Sequence, residues 1–142
     1  MQRRALILAV LSGFLWLGAR PARADFCFQV DDGVTGAFFH FAGKYSKKPL
    51  KAKSLLGHVT AFNGGGVVGI GPAFGATFGL PEGDAGVAFS VQFSFGPGTV
   101  GWVAATLDDN GETQGGGTIY YSNLPTVTGG AAIADCSTEP QP

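Results

Sequence analysis

His40 and His58 are the only histidines in the chain, and each lies nine residues from Pro49. If the segments that carry them fold back on one another about that proline, the imidazoles face each other across two strands. Their Cβ atoms would then stand about 5 Å apart. Facing imidazoles can share a metal ion or compete for protons. Spacing reveals no third ligand, so only part of a metal site is legible. Between the histidines runs a segment that holds every lysine of the protein, Lys44, Lys47, Lys48, Lys51 and Lys53, with Tyr45 and Leu50 among them. Such a loop suits an anionic membrane surface or an acidic partner. Blocks of like charge also simply repel one another and stay solvated.

Other chemistry is sparse. Asp108-Asp109-Asn110-Gly111-Glu112 offers alternating oxygens to a cation, but the twelve-residue calcium pattern is missing. The same residues make an ordinary hairpin tip, with Asn110-Gly111 suited to a type I′ turn. Gly64-Gly65-Gly66 and Gly115-Gly116-Gly117 precede strand-like segments, and no Gly-Lys-Ser/Thr follows them, so they are not phosphate loops. There is no Gly-x-Ser-x-Gly elbow and no carboxylate pair on one strand. The expectation is a protein without catalysis and without a cofactor.

The apolar residues point elsewhere. Eleven of the twelve phenylalanines fall after residue 24, together with Trp102 and three tyrosines. Phe89, Phe93, Trp102 and Tyr120 are the candidate contacts for an apolar small molecule or lipid held in or at the domain. The same aromatics could equally fill a core.

Residues 1–24 read as a secretory leader: Arg3 and Arg4, an apolar run from Ala5 to Ala19, then Ala22-Arg23-Ala24 with cleavage before Asp25. All four arginines lie in this segment. The remaining five lysines face ten carboxylates, a difference of −5. Nucleic acid is therefore not the expected partner. Export favours a disulfide between Cys27 and Cys136, the only cysteines. The periplasm or the exterior is the expected destination.

The chain that must position these residues reads as strands throughout. Val87, Phe89, Val91, Phe93 and Phe95 alternate with small or polar residues, the period of a half-buried strand. The full set is Phe26–Val30, Thr35–Phe41, Leu55–Asn63, Val67–Ile70, Ala73–Leu80, Gly86–Phe95, Thr99–Leu107, Thr118–Ser122 and Thr126–Asp135. A break is expected near Gly71-Pro72. Both faces of Thr99–Leu107 are fairly apolar, as if covered on both sides. No helical period intervenes. An all-β domain over residues 25–136 follows, a small antiparallel barrel of about eight strands, with a β-sandwich as the alternative. In a closed barrel with an even strand count, the first strand begins beside the end of the last, where Cys27 and Cys136 would meet. Residues 137–142 are expected to be a loose tail.

Three functions remain open on this reading: an exported barrel that binds an apolar ligand or lipid, a surface protein that docks an anionic partner through its lysines, and a small outer-membrane barrel. Against the last stand the Pro-rich end of the chain, the short strands and Pro72. The sequence leaves the oligomeric state open.

Overall fold

Alternation of large apolar with small or polar residues forces each segment to bury one face, and closing the sheet on itself buries all of those faces at once. The computed structural model describes residues 25–43, 51–80, 86–108 and 114–142. Its strands are β1 (Phe26–Asp31), β2 (Thr35–Phe41), β3 (Lys53–Asn63), β4 (Gly66–Gly79), β5 (Val87–Phe95), β6 (Thr99–Asp108), β7 (Gln114–Tyr121) and β8 (Val127–Ala134). Each pairs antiparallel with the next, and β8 pairs with β1, so the sheet closes into an eight-stranded barrel. The barrel, not the sandwich, is the fold.

β1 begins and β8 ends at one rim, where β2, β4 and β6 also end and β3, β5 and β7 begin. The opposite rim carries tight turns. At one of these, Asp32 Oδ1 accepts from the amides of Val34 and Thr35 at 2.9 and 2.8 Å, and Gly33 takes a φ of 100°. These backbone hydrogen bonds hold the Asp32 carboxyl below its ordinary value.

Cys27 and Cys136 form a disulfide with Cα atoms 5.3 Å apart. It sits at the seam, where Cys27 pairs in register with Ala134. A disulfide at this position points to an oxidising compartment. The expected leader, residues 1–24, lies outside the described residues, as does the expected hairpin tip beyond Asp108.

The interior is a stack of rings. Phe28 lies 4.5 Å from Phe89 and 4.9 Å from Phe39 between centroids. Phe39 meets Phe93 edge-on at 5.7 Å, and Phe93 meets Tyr121 in the same way. Val30, Val59, Val91, Val103 and Ile119 fill the spaces between them, all fully buried.

Two expectations about strands need correction. β4 does not break near Gly71-Pro72 but runs unbroken from Gly66 to Gly79. Pro72 pairs with His58 on β3, and the β4–β5 ladder begins only at Ala73. The missing proline amide thus falls outside that ladder, an edge-like position that proline tolerates. β7 likewise begins earlier than its side chains suggest, because Gly115-Gly116-Gly117 lie within the strand.

Glycine here does steric work. A Cβ at Gly57 would fall on the carbonyl oxygen of His40, and one at Gly71 on that of Ser94. Neighbouring strands therefore approach closely enough to coil the sheet shut only where no side chain intervenes.

Candidate functional site

Among the described residues, two places on the outer wall gather chemistry. The first is the histidine pair. β2 and β3 pair with His40 directly opposite His58, their ring centroids 5.0 Å apart. Both point outward, since their neighbours Phe39, Phe41 and Val59 belong to the core.

The structure adds a residue that spacing could not reveal. After the disulfide the chain makes a 3-10 turn at Cys136–Thr138. Asp135 caps it, its Oδ1 accepting from Ser137 N at 2.9 Å and Ser137 Oγ at 2.8 Å. The turn sends Glu139 back over the outer wall. There Glu139 Oε1 lies 3.2 Å from His40 Nδ1, and Oε2 lies 2.6 Å from His58 Nε2. Thr60, fully buried, donates to Oε2 at 2.8 Å. The segment read as a loose tail thus places one carboxylate between two imidazoles. On the far side of His40, Nε2 lies 2.9 Å from Asp25 Oδ2.

Both nitrogens of His40 therefore face carboxylate oxygens, which accept and do not donate, and only the imidazolium satisfies both. Burial opposes that charge, but the hydrogen bonds to Asp25 and Glu139 outweigh it and raise His40 above its ordinary value of 6.5. For Glu139, burial pushes upward. The bonds from His58, Thr60 and His40 outweigh it and leave the carboxyl below its ordinary value of 4.5.

The signs give a window. A raised histidine stabilises the fold fully below its unfolded value and loses the effect as pH climbs through the folded one. A lowered carboxylate stabilises above its unfolded value and loses the effect as pH falls through the folded one. The clasp is tightest between about pH 4.5 and 6.5. We expect the melting temperature in metal-free buffer to peak in that window, and His40→Ala to flatten its alkaline side. An unchanged profile in the variant would refute this.

One potential ligand atom from each of His40, His58 and Glu139 lies within 4.8 Å of the others. Cys27, His40 and Cys136 cluster similarly, but sulfurs joined in a disulfide offer no thiolate.

The second place is the outer face of β3 to β7. The expected ligand set divides here. Phe89 and Phe93 point inward and are buried, whereas Trp102 and Tyr120 point outward and are 41 % and 45 % exposed. They stack as a cross-strand pair at 5.2 Å. The outer side of β6 is thus open, not covered as its apolar residues suggested. Register extends the pair into a row. Leu56 pairs with Phe74, Phe74 with Gln92, Gln92 with Trp102 and Trp102 with Tyr120. Leu56 and Phe74 are 73 % and 54 % exposed. A groove of about 660 Å³ runs along this row, with Phe74 on one side, the Trp102–Tyr120 pair on the other and Gln92 between them. Trp102 Nε1 donates to Ser90 Oγ at 3.0 Å, which fixes the indole's orientation. Phe74 was not among the expected contacts. Its place in the row depends on the register across Pro72.

Of the lysines, Lys51 and Lys53 are exposed at the rim where β3 begins. Lys44, Lys47 and Lys48 lie outside the described residues. Compared with known protein families, with curated proteins and with solved structures, the chain matches none.

Proposed function

We propose that this protein is an exported, non-catalytic binding barrel whose outer groove between Phe74 and Trp102 takes an apolar small molecule or a lipid chain. One observation carries the reading. Four large side chains, Leu56, Phe74, Trp102 and Tyr120, stand exposed in one register row. Single exposed apolar residues are ordinary, but several in one row beside a groove are the mark of a binding surface.

The interior is a weaker candidate, because stacked phenylalanines occupy it. That packing also favours this reading over an outer-membrane barrel, whose lumen is polar and whose apolar residues face lipid. The oxidising compartment suggested by the disulfide agrees with export.

Trp102 supplies the test, since Trp16→Phe leaves it as the only tryptophan. Titration with oleate, and separately with naphthalene, should shift its emission to the blue and saturate. Burying one phenylalanine against a ligand is worth about 1.5–3 kcal/mol. Phe74→Ala should therefore weaken binding by roughly ten- to a hundredfold. No spectral change, or equal binding by Phe74→Ala, would sink the proposal. Reversing the charges of Lys47, Lys48 and Lys51 should leave both titrations unchanged. If it abolished binding to anionic vesicles while oleate did nothing, the lysine loop would carry the function instead.

A further inference from the structure

We propose that His40, His58 and Glu139 form a binding site for a first-row divalent cation of the zinc class, with an open coordination position. It is distinct from the apolar groove and lies on the outer wall over β2 and β3.

The donor set comes first. Two imidazoles and one carboxylate match the ligands that zinc and its neighbours prefer. Their atoms already converge: 3.2 Å from His40 Nδ1 to Glu139 Oε1 and 2.6 Å from His58 Nε2 to Glu139 Oε2. Ligands about 2.0–2.2 Å from a tetrahedral ion sit roughly 3.3–3.6 Å from one another. The His40 contact already lies within a few tenths of an ångström of that spacing, the His58 contact must open by roughly 0.7–1.0 Å, and Glu139, which lies beyond the last strand, supplies that opening by a side-chain shift.

The second observation is the shell around the donors. A metal-bound histidine usually donates its other ring N–H to a carboxylate, which fixes the tautomer and raises the basicity of the bound nitrogen. His40 has that arrangement, with Nδ1 toward the cluster and Nε2 2.9 Å from Asp25. A ligating carboxylate is in turn usually hydrogen-bonded, and Thr60 donates to Glu139 from a fully buried position. An ion pair alone requires neither device.

Charge agrees. With both imidazoles neutral, Asp25 and Glu139 leave the cluster at −2, which a divalent cation neutralises. Binding displaces the protons shared between the imidazoles and Glu139, and no redox step is involved.

Three protein ligands leave one tetrahedral position for water or an exchangeable ligand. His58 is 40 % exposed, so that position opens to solvent. The ion would also clip residue 139 to strands 81 and 99 residues away in sequence.

The test uses the untagged full chain and two probes, Zn²⁺ alone and Co²⁺ alone. Calorimetry should show one Zn²⁺ per chain, and Co²⁺ should develop visible d–d bands. Zn²⁺ should also raise the melting temperature of the wild type. His40→Ala, His58→Ala and Glu139→Gln should each weaken Zn²⁺ binding by about a hundredfold or more and abolish the bands. Thr60→Val and Asp25→Asn remove only orienting groups. They should cost about 10- to 100-fold and keep the bands. Glu139→Gln lies beyond the last strand and keeps an oxygen for Thr60, so circular dichroism should show an intact barrel. Absence of stoichiometric uptake by the wild type, or full uptake by His58→Ala and Glu139→Gln, would overturn the site and leave an ion-pair clasp.

Discussion

Replacing Cys27 and Cys136 together by serine should cost about 4–5 kcal/mol. The bond joins residues 109 apart in sequence and so closes nearly the whole folded domain into one loop. Such a loop removes much of the unfolded chain's freedom, and the unfolded state is where most of the stabilisation arises. Domains of this size are stable by only about 5–15 kcal/mol in total. The melting temperature should therefore fall by roughly 15 °C or more, at 4–8 °C for each kcal/mol. Position sharpens the expectation. The bond lies at the β1–β8 seam, whose ladder runs from Cys27↔Ala134 to Asp31↔Gly130. Freed of the bond, this seam is the place where the barrel can open into a sheet with two bare edges. Hydrogen exchange should show β1 and β8 losing protection before β5 and β6. A loss below about 1 kcal/mol would mean that the seam's hydrogen bonds hold closure without the bond. Reduction would also release the turn at Cys136–Thr138 and with it Glu139, so the disulfide governs the clasp as well as the barrel.

That dependence explains what the sequence could and could not reveal. The barrel was legible because period-2 alternation is strong in segments such as Val87–Phe95, and because closure brings together two cysteines at opposite ends of the domain. The facing histidines were legible because a hairpin's register follows from its centre, and His40 does pair with His58. Glu139 was hidden, since its partners lie 81 and 99 residues away and its neighbours are prolines and polar residues. One indirect signal existed. Cys136 must reach Cys27, Cys27 pairs with His40, and a residue three positions beyond Cys136 cannot be far from that histidine. The apolar groove was hidden for a different reason. Alternation separates the two faces of a strand but does not say which face is inside when both are apolar. On β6, Val103, Ala105 and Leu107 face inward and Val100 and Trp102 outward. Gly101 shares the inward face, where a Cβ would fall on the Phe93 ring. The glycines at 115–117 read as preceding a strand, not as part of one, because residues without side chains show no alternation to detect.

Phe28→Ala should cost about 3–5 kcal/mol, whereas Phe74→Ala should change stability by no more than about 0.5 kcal/mol. The residue type and the substitution are the same, and only the side of the sheet differs. Phe28 is fully buried and stacks on Phe39 and Phe89. Removing its ring takes away its transfer energy and leaves a cavity that the closed barrel cannot collapse to fill. Phe74 is 54 % exposed on the outer wall, and its loss costs the folded chain little packing. Urea unfolding of the two variants measures both, and equal losses would contradict the assignment of the two faces. The comparison also separates the two places where an apolar ligand could lie. A dry cavity lined by phenylalanine takes up small apolar molecules, so Phe28→Ala should bind benzene inside the barrel and recover stability as it does. The wild type, whose interior is filled, should gain nothing from benzene through that route. Any apolar binding it shows should then weaken with Phe74→Ala and survive Phe28→Ala. The reverse pattern would move the binding site from the outer wall to the interior.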